Sequence, residues 1–449
     1  MTWVRGILFY NFLLLTIIQG WVRGNPLRRW QAQQAIKTAI ESLQSLSVKG
    51  GFCGIYSGNI KKYRSDTGMK KMKPGHILVQ PPGTPSAGSA FLRAYRLIKD
   101  KQILDAAVKA GMSLAWAQRT SGGWDCVCSV SHAAGGKQPA RKKGKSTFDK
   151  GTTQKTLRFL IDLDKETDRK WLSKAIELGV DFVIRAQYPN GAWPQQYPLT
   201  GGYSDLFTFK NGVTNECIEL MVHAHRIGKN KKYLNTALKG GDFILKSVVS
   251  GKQPGWAQQY SKDMKPARGR TFEPPALCSR ATARNIDTLT TLYIETGDSR
   301  FTEPVKQAVT WLNTLQLSSG RWALLYEIGS NKPVYGSKDR RIFHSLEKVS
   351  DALRSSHTWE GPMGVEKAIS RYTKVINTGR EPFLKQGTAP LTDTERKART
   401  AQLGPLVMNI AGSLDPEGFW KQGNEIHISE TVKNLNILCE YLELTGDKQ

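Results

Sequence analysis

Three loop-to-helix junctions, each about one repeat apart, carry side chains able to act on an anionic polymer. The first is Ser146-Thr147-Phe148-Asp149-Lys150-Gly151-Thr152-Thr153-Gln154, and the second is Thr208-Phe209-Lys210-Asn211-Gly212. The third runs from Phe272-Glu273-Pro274-Pro275 to Arg280 and Arg284. Asp149 offers a carboxylate, while Lys150, Lys210, Arg280 and Arg284 offer cations that would offset charge on an acidic substrate. The plainer role for Asp149 is a helix cap, its carboxylate accepting from backbone N–H groups. Two further loops, Asn190–Pro198 and Gly255–Tyr260, hold Trp193, Tyr197 and Trp256. Flat apolar faces with polar edges suit sugar rings. Plugging the ends of helices is the competing role for each of these aromatics.

The elements that position these residues repeat. A Gly-aromatic element recurs with its aromatic residue at Phe52, Trp124, Trp193, Trp256 and Trp322, in steps of 63 to 72 residues, and again at Phe419-Trp420. Out of phase with it is a polar turn: Lys99-Asp100-Lys101, Thr167-Asp168-Arg169, Lys229-Asn230-Lys231, Gly297-Asp298-Ser299 and Gly446-Asp447-Lys448. Apolar residues at helical spacing flank these turns, for example Leu157, Leu160 and Ile161 before and Leu172, Ala175, Ile176 and Phe182 after. Each period therefore reads as helix, polar turn, helix and Gly-Trp loop. Repeated helix pairs build an open solenoid or a closed ring. The first helix, near Gln33 to Leu46, reads as a second member of a pair, and the last, near Glu430 to Leu444, as a first member. Their pairing would make an all-α fold, an α/α toroid as an incomplete barrel with long mouth loops. Residues 325–400 break the pattern and are expected to be long loops with weaker helices.

Composition limits the partner. The chain has 449 residues, 39% of them apolar, and a formal charge of +27. That apolar share supports a large core, and the charge concentrates polyanions. Nucleic acid, an anionic membrane and an acidic polysaccharide are the candidates. Arg5, the apolar run from Ile7 to Ile18, and Gly20 and Gly24 read as a signal peptide over residues 1–24, leaving one domain over 25–449. The run is short for a membrane span. Secretion or a periplasmic location makes nucleic acid a poor partner and an extracellular glycan a better one. A monomer without stable membrane insertion is expected. The six cysteines allow disulfides, with buried thiols the simpler reading for Cys217 and Cys278.

Several motifs resemble the pectate lyases of polysaccharide lyase family 10. They are Val79-Gln80-Pro81-Pro82-Gly83-Thr84-Pro85, the stretch 147–154, Ala186-Gln187-Tyr188 leading into Asn190-Gly191-Ala192-Trp193-Pro194-Gln195, Trp256–Tyr260 with Phe272–Pro275, and Arg321-Trp322 with Tyr326-Glu327 and Asn331-Lys332-Pro333. They occur in order over roughly residues 50–360. The family's fold is an α/α toroid. The resemblance implies β-elimination: a base removes the C5 proton of a galacturonate, and the C4–O bond breaks. It implies an arginine base, matched by Arg284 with Arg280 as second choice, a site carboxylate at Asp149, and a substrate-binding arginine at Arg354. It also implies Ca2+, yet Asn211 and Lys150 stand where further carboxylates are expected. Calcium prefers carboxylate oxygens, so Asn211 is the single metal candidate, and Lys150 and Lys210 are substrate-binding candidates in calcium's stead. A glycan-binding protein that keeps the groove without catalysis is the main alternative. A hydrolase would need a second carboxylate, for which Glu216, Glu219 and Glu273 are available.

Overall fold

The computed structural model describes residues 26–65, 68–131, 141–249, 251–384 and 390–446. The proposed leader lies outside them. Helices α1 (Pro26–Ser45), α2 (Thr84–Ile98), α3 (Lys101–Ala117), α4 (Thr152–Thr167), α5 (Lys170–Arg185), α6 (Val213–Gly228), α7 (Lys231–Ser247), α8 (Ser279–Thr296) and α9 (Glu303–Thr314) follow the repeat. After them come α10 (Asp351–Ser356), α11 (Val365–Thr378), α12 (Asp393–Gly412) and α13 (Ile428–Thr445). Inner helices α2, α4, α6 and α8 pack each on the next, and each is backed by the outer helix that succeeds it in the chain. α13 packs on α2, while α1 packs on α12 and α13, so the terminal helices do pair. The fold is an α/α toroid. It is incomplete on one side, where α11 leans on α8 and is tied to α12 by Lys374–Glu395 at 3.4 Å. Residues 325–400 thus contribute a ring helix where the repeat pattern predicts mainly loop.

The two recurring sequence elements have different jobs. In the polar turns, Lys99, Asp168, Lys229 and Gly297 adopt the left-handed conformation that ends an inner helix. Asp100, Asn230 and Asp298 then cap the next helical segment, accepting from the N–H of Gln102, Lys232 and Arg300. At the opposite end, each tryptophan donates its indole N–H back to the preceding outer helix. Trp124 bonds the carbonyl of Leu114, Trp193 that of Val183, Trp256 that of Ile244, Trp322 that of Leu312 and Trp420 that of Ile410, at 2.7–2.9 Å. Every one of these carbonyls belongs to the last four of its helix, which lack a regular intrahelical partner; those of Ile244, Leu312 and Ile410 also accept from Ser247, Leu315 and Ser413.

Short antiparallel ribbons complete the mouth. The strand before an inner helix pairs with the segment just after the next Gly-aromatic loop: His76–Leu78 with Val127–Ser129, Ser146–Thr147 with Gln196–Tyr197, Phe207–Thr208 with Gln259–Tyr260, and Leu277–Cys278 with Leu325–Tyr326. The cycle closes when Glu425–His427, before α13, pairs with Ile55–Ser57 from the first period. Those two strands sit within a five-stranded sheet that adds Lys421–Gln422, Ile60–Ser65 and Gly68–Lys71. The helical repeat does not predict this sheet. Its sequence signal is the two-residue Gly58-Asn59 turn between paired Ser57 and Ile60.

All six cysteines are unpaired, and Cys217 and Cys278 are buried as expected. Among the described residues no helix is long and apolar enough to cross a membrane. Replacing Trp193 by Phe keeps an aromatic ring in place but strands the Val183 carbonyl. Urea denaturation should show a loss of about 1–3 kcal/mol.

Candidate functional site

The first two junctions have the same backbone. Phe148 and Phe209 are buried anchors, and each is followed by a tight turn, Asp149-Lys150-Gly151 or Lys210-Asn211-Gly212. In both turns the last two residues lie in the left-handed region, Lys150 and Gly151 at φ +52° and +73°, Asn211 and Gly212 at +51° and +74°. Asp149 is therefore the structural counterpart of Lys210, and Lys150 that of Asn211. The glycines are needed for more than φ. A Cβ on Gly151 would stand 2.0 Å from Glu216 Oε2, and one on Gly212 would stand 2.1 Å from Arg284 Nη1. The turns thus lie directly over these two side chains.

The turns meet through their polar groups. Asn211 Nδ2 donates to Asp149 Oδ1 at 2.7 Å. Asp149 does not cap α4 with its side chain: the residue at the cap position is Gly151, without a side-chain bond. Beneath, Arg284 Nη2 donates to Glu216 Oε1 at 3.1 Å, and Lys155 Nζ lies 3.9 Å from the same oxygen. These residues line a cavity of about 470 Å³ between the inner helices, together with Arg158, Asp162 and Glu219. Glu219 is half-buried by surface, but what it exposes faces this cavity. Burial among the inner helices is the main reason its carboxyl rises to about 7, against the partial offset of Arg284.

Other expected site residues are displaced from the roles assigned to them. Trp193 and Trp256 are fully buried and engaged in the indole–carbonyl bonds, so neither offers a ring to a sugar. The exposed aromatic faces at the mouth are Tyr197, 41% exposed, and Tyr203, 48% exposed, the second of which belongs to none of the motifs above. Lys210 is also buried. Its ammonium lies 2.5 Å from Glu273 Oε2, with the Tyr203 ring 5.8 Å away. Burial lowers the Lys210 pKa, while Glu273, pushed up by burial, is brought below its usual range by Lys210 and the Arg270 N–H. A lysine already matched by a buried carboxylate is a poor receptor for a substrate carboxylate, which corrects its expected role. Arg280 is half-buried with Nη2 3.3 Å from Met363 Sδ. It shares its surroundings with His357, Lys210, Glu273 and Arg270, and burial pushes His357 down to about 4. Arg354 pairs with Asp351 in its own short helix, α10.

The donor set does not fit calcium. Asp149 meets Asn211 rather than a second carboxylate, and the counterpart of Asp149 in the second turn, Lys210, offers no oxygen donor. Among the described residues no three His, Cys, Asp or Glu side chains gather as a metal-holding group. Calcium takes six to eight oxygens, usually with carboxylates among them.

Residues 118–319 match the family model described as pectic acid lyase. The resemblance drawn from the motifs therefore holds over this central segment, and a polysaccharide lyase is the coarse class it supports. No curated protein matches the chain. Among solved structures, the chain is similar to a family 10 polysaccharide lyase from Cellvibrio cellulosa, at 20% identity over 66% of this chain and 97% of that one, with a TM-score of 0.52. A mutant of that family 10 lyase in complex with trigalaturonic acid gives 20% identity over 65% and 98%, with the same TM-score. At that identity the likeness speaks for the fold.

Two outcomes are expected for this site. Glu273→Gln leaves Lys210 as an unmatched buried cation, and chemical denaturation should show a loss of about 3–5 kcal/mol. The double change Lys210→Met with Glu273→Leu should recover most of it. Glu219 has a folded pKa of about 7 against an ordinary 4.5, so the folded state binds its proton more tightly. Stability should fall as pH rises from about 4.5 to about 7, and Glu219→Gln should flatten that slope.

Proposed function

We propose that this protein is a secreted, monomeric lyase that cleaves polygalacturonate or a related acidic polysaccharide by β-elimination without a calcium requirement. The observation that carries the proposal is the stacked pair of contacts at the mouth: Asp149–Asn211 above and Arg284–Glu216 below, at the opening of a cavity lined by Lys155 and Arg158. In β-elimination the C5 proton is removed, the electron pair forms the C4–C5 double bond, and the glycosidic oxygen on C4 leaves and takes up a proton. Charge builds on the uronate carboxylate as the C5 proton departs, and fixed cations nearby stabilise it. Arg284 is the side chain assigned to the reacting sugar. Resemblance casts it as the base. A guanidinium that keeps its proton, as arginine does over the accessible pH range, serves as a clamp on the carboxylate, and the Asp149 carboxylate then takes the C5 proton. Asp149, held by Asn211, orients the same sugar, and Tyr197 with Tyr203 supplies apolar surface for neighbouring rings.

Calcium independence follows from the poor fit of the donor set. The positive charge that the metal would bring is supplied in this reading by Arg284, Lys150 and Lys155. A second reading, a glycan-binding protein without catalysis, is favoured by one observation: the Lys210 ammonium is neutralised internally and does not face a ligand.

Purified protein incubated with polygalacturonate should yield unsaturated, ultraviolet-absorbing products, unchanged by chelator and abolished by Arg284→Ala. Loss of product in chelator would sink calcium independence. Binding without product from any uronate polymer would replace the lyase with the binding protein, and new reducing ends without unsaturation would indicate hydrolysis.

A further inference from the structure

The five-stranded sheet carries charge that the fold does not explain. Paired residues of an antiparallel sheet share a face. Lys62 stands directly opposite Lys71, and Arg64 opposite Met69, with Ile60 on the same face. Like charges placed opposite one another destabilise a strand pair. The acid on that face, among the described residues, is Glu425, 3.2 Å from Lys62. The reverse face holds buried Tyr56 and Ile426 against the core, while the basic face is open over its outer two strands and covered at Ile55. Arg64 and Lys71 are exposed, as are Ile60 and Met69 on the same face. Lys61 and Lys70 add two further cations on the other side of the same two strands.

The sheet has a fixed place in the fold. Its strand Glu425–His427 runs directly into α13, and Ile428 N donates to Gly54 O at 3.0 Å. It therefore stands at the mouth, as the ribbon beside Asp149 does. We infer that the Lys62–Arg64–Lys71 face is a second polyanion-binding surface, which holds an acidic polysaccharide chain at a distance from the cleavage point. This rests on the reading of an acidic polymer as substrate. The mouth location makes one polymer able to touch both regions. Among the described residues of its strands, the basic face carries no Phe, Tyr or Trp on which a nucleic acid base could stack, as single-strand binders use, and the ring of His427 on that face is held to Glu425 at 3.0 Å. Ile60 and Met69 offer apolar contact to sugar C–H groups instead.

The test is retention on immobilised polygalacturonate, on a single-stranded nucleic acid matrix and on a neutral glucan, eluted with salt. Three proteins are compared: wild type, the face variant K62Q/R64Q/K71Q, and a control variant K165Q/K170Q/K231Q that removes equal charge from the opposite end of the toroid. The face variant should elute from polygalacturonate at clearly lower salt than wild type, and the control should elute with wild type. Equal shifts for both variants would show that net charge alone is at work and would overturn the inference. So would no shift for either, a wild type that polygalacturonate does not retain, or a face-dependent shift confined to nucleic acid. Product formation from a short galacturonate oligomer is measured in parallel. A face-specific shift without any unsaturated product leaves this surface standing and removes the lyase reading. Product formation with no face-specific shift removes this inference alone.

Discussion

The indole N–H to helix-end carbonyl bond is the interaction on which the mouth depends. An outer helix must stop and hand the chain to a loop that reaches the next inner helix. Its last carbonyls then face a fully packed interior, where an unpartnered acceptor is costly. A tryptophan about ten residues after the carbonyl solves this in five of the periods, and its ring fills the space between layers. The loop is thereby fixed from below. The ribbon strands beyond it can pair with the strand ahead of an inner helix, and the junction turns that carry Asp149 and Asn211 inherit that register. A second set of bonds ties the same levels together: Thr153 and Thr282 accept from the N–H of Trp124 and Trp256, while Thr84 accepts from that of Phe52.

This arrangement explains which parts of the molecule could be read from sequence. Helix periodicity and the polar turns reflect local rules, apolar spacing and helix-end chemistry, so the toroid was legible, down to the pairing of its terminal helices. The tryptophans were legible as a repeat, but their direction was not. An aromatic in a Gly-Pro-rich loop looks the same whether its ring points into the core or into a groove. The decision lies with a carbonyl ten residues away, and spacing within the motif does not reveal it. The exposed faces proved to be Tyr197 and Tyr203, of which the second lies outside any repeated motif.

The same limit applies to charge. Asp149 and Arg284 stand out as sequence signals because they occur at equivalent junctions, and the structure brings both junctions to one place. Lys210 looked like a cation for substrate because its neighbours in sequence are a motif. Its partner, Glu273, is 63 residues further on. Only the fold brings Glu273 under the Lys210 turn, where the pair is matched and largely removed from water. Glu216 and Glu219 obey the same rule from the other side. Sequence offers them only as second carboxylates for a hydrolase; Glu216 reaches the turn because Gly151 leaves room for it, as Gly212 does for Arg284, and Glu219 lines the cavity below.

Asn211 and Lys150, standing where the resemblance implies carboxylates, change where attraction for a polyanion would arise. A carboxylate pair can recruit a divalent ion whose charge is shared with the ligand. Lys210 and Glu273 neutralise one another inside the protein and leave no surplus charge to share. Two of the cations at the site, Arg284 and Lys155, are themselves partly offset by Glu216. For the acidic polymer proposed as substrate, a formal charge of +27 would act mostly from the surface around the mouth rather than from its centre. Exposed charges act over about a Debye length, roughly 8 Å at physiological salt. To guide a chain toward Asp149 they must stand along its path. On the proposal of a second polyanion-binding surface, the cost of opposing Lys62 and Lys71 on neighbouring strands would be offset by a polyanion that bridges them.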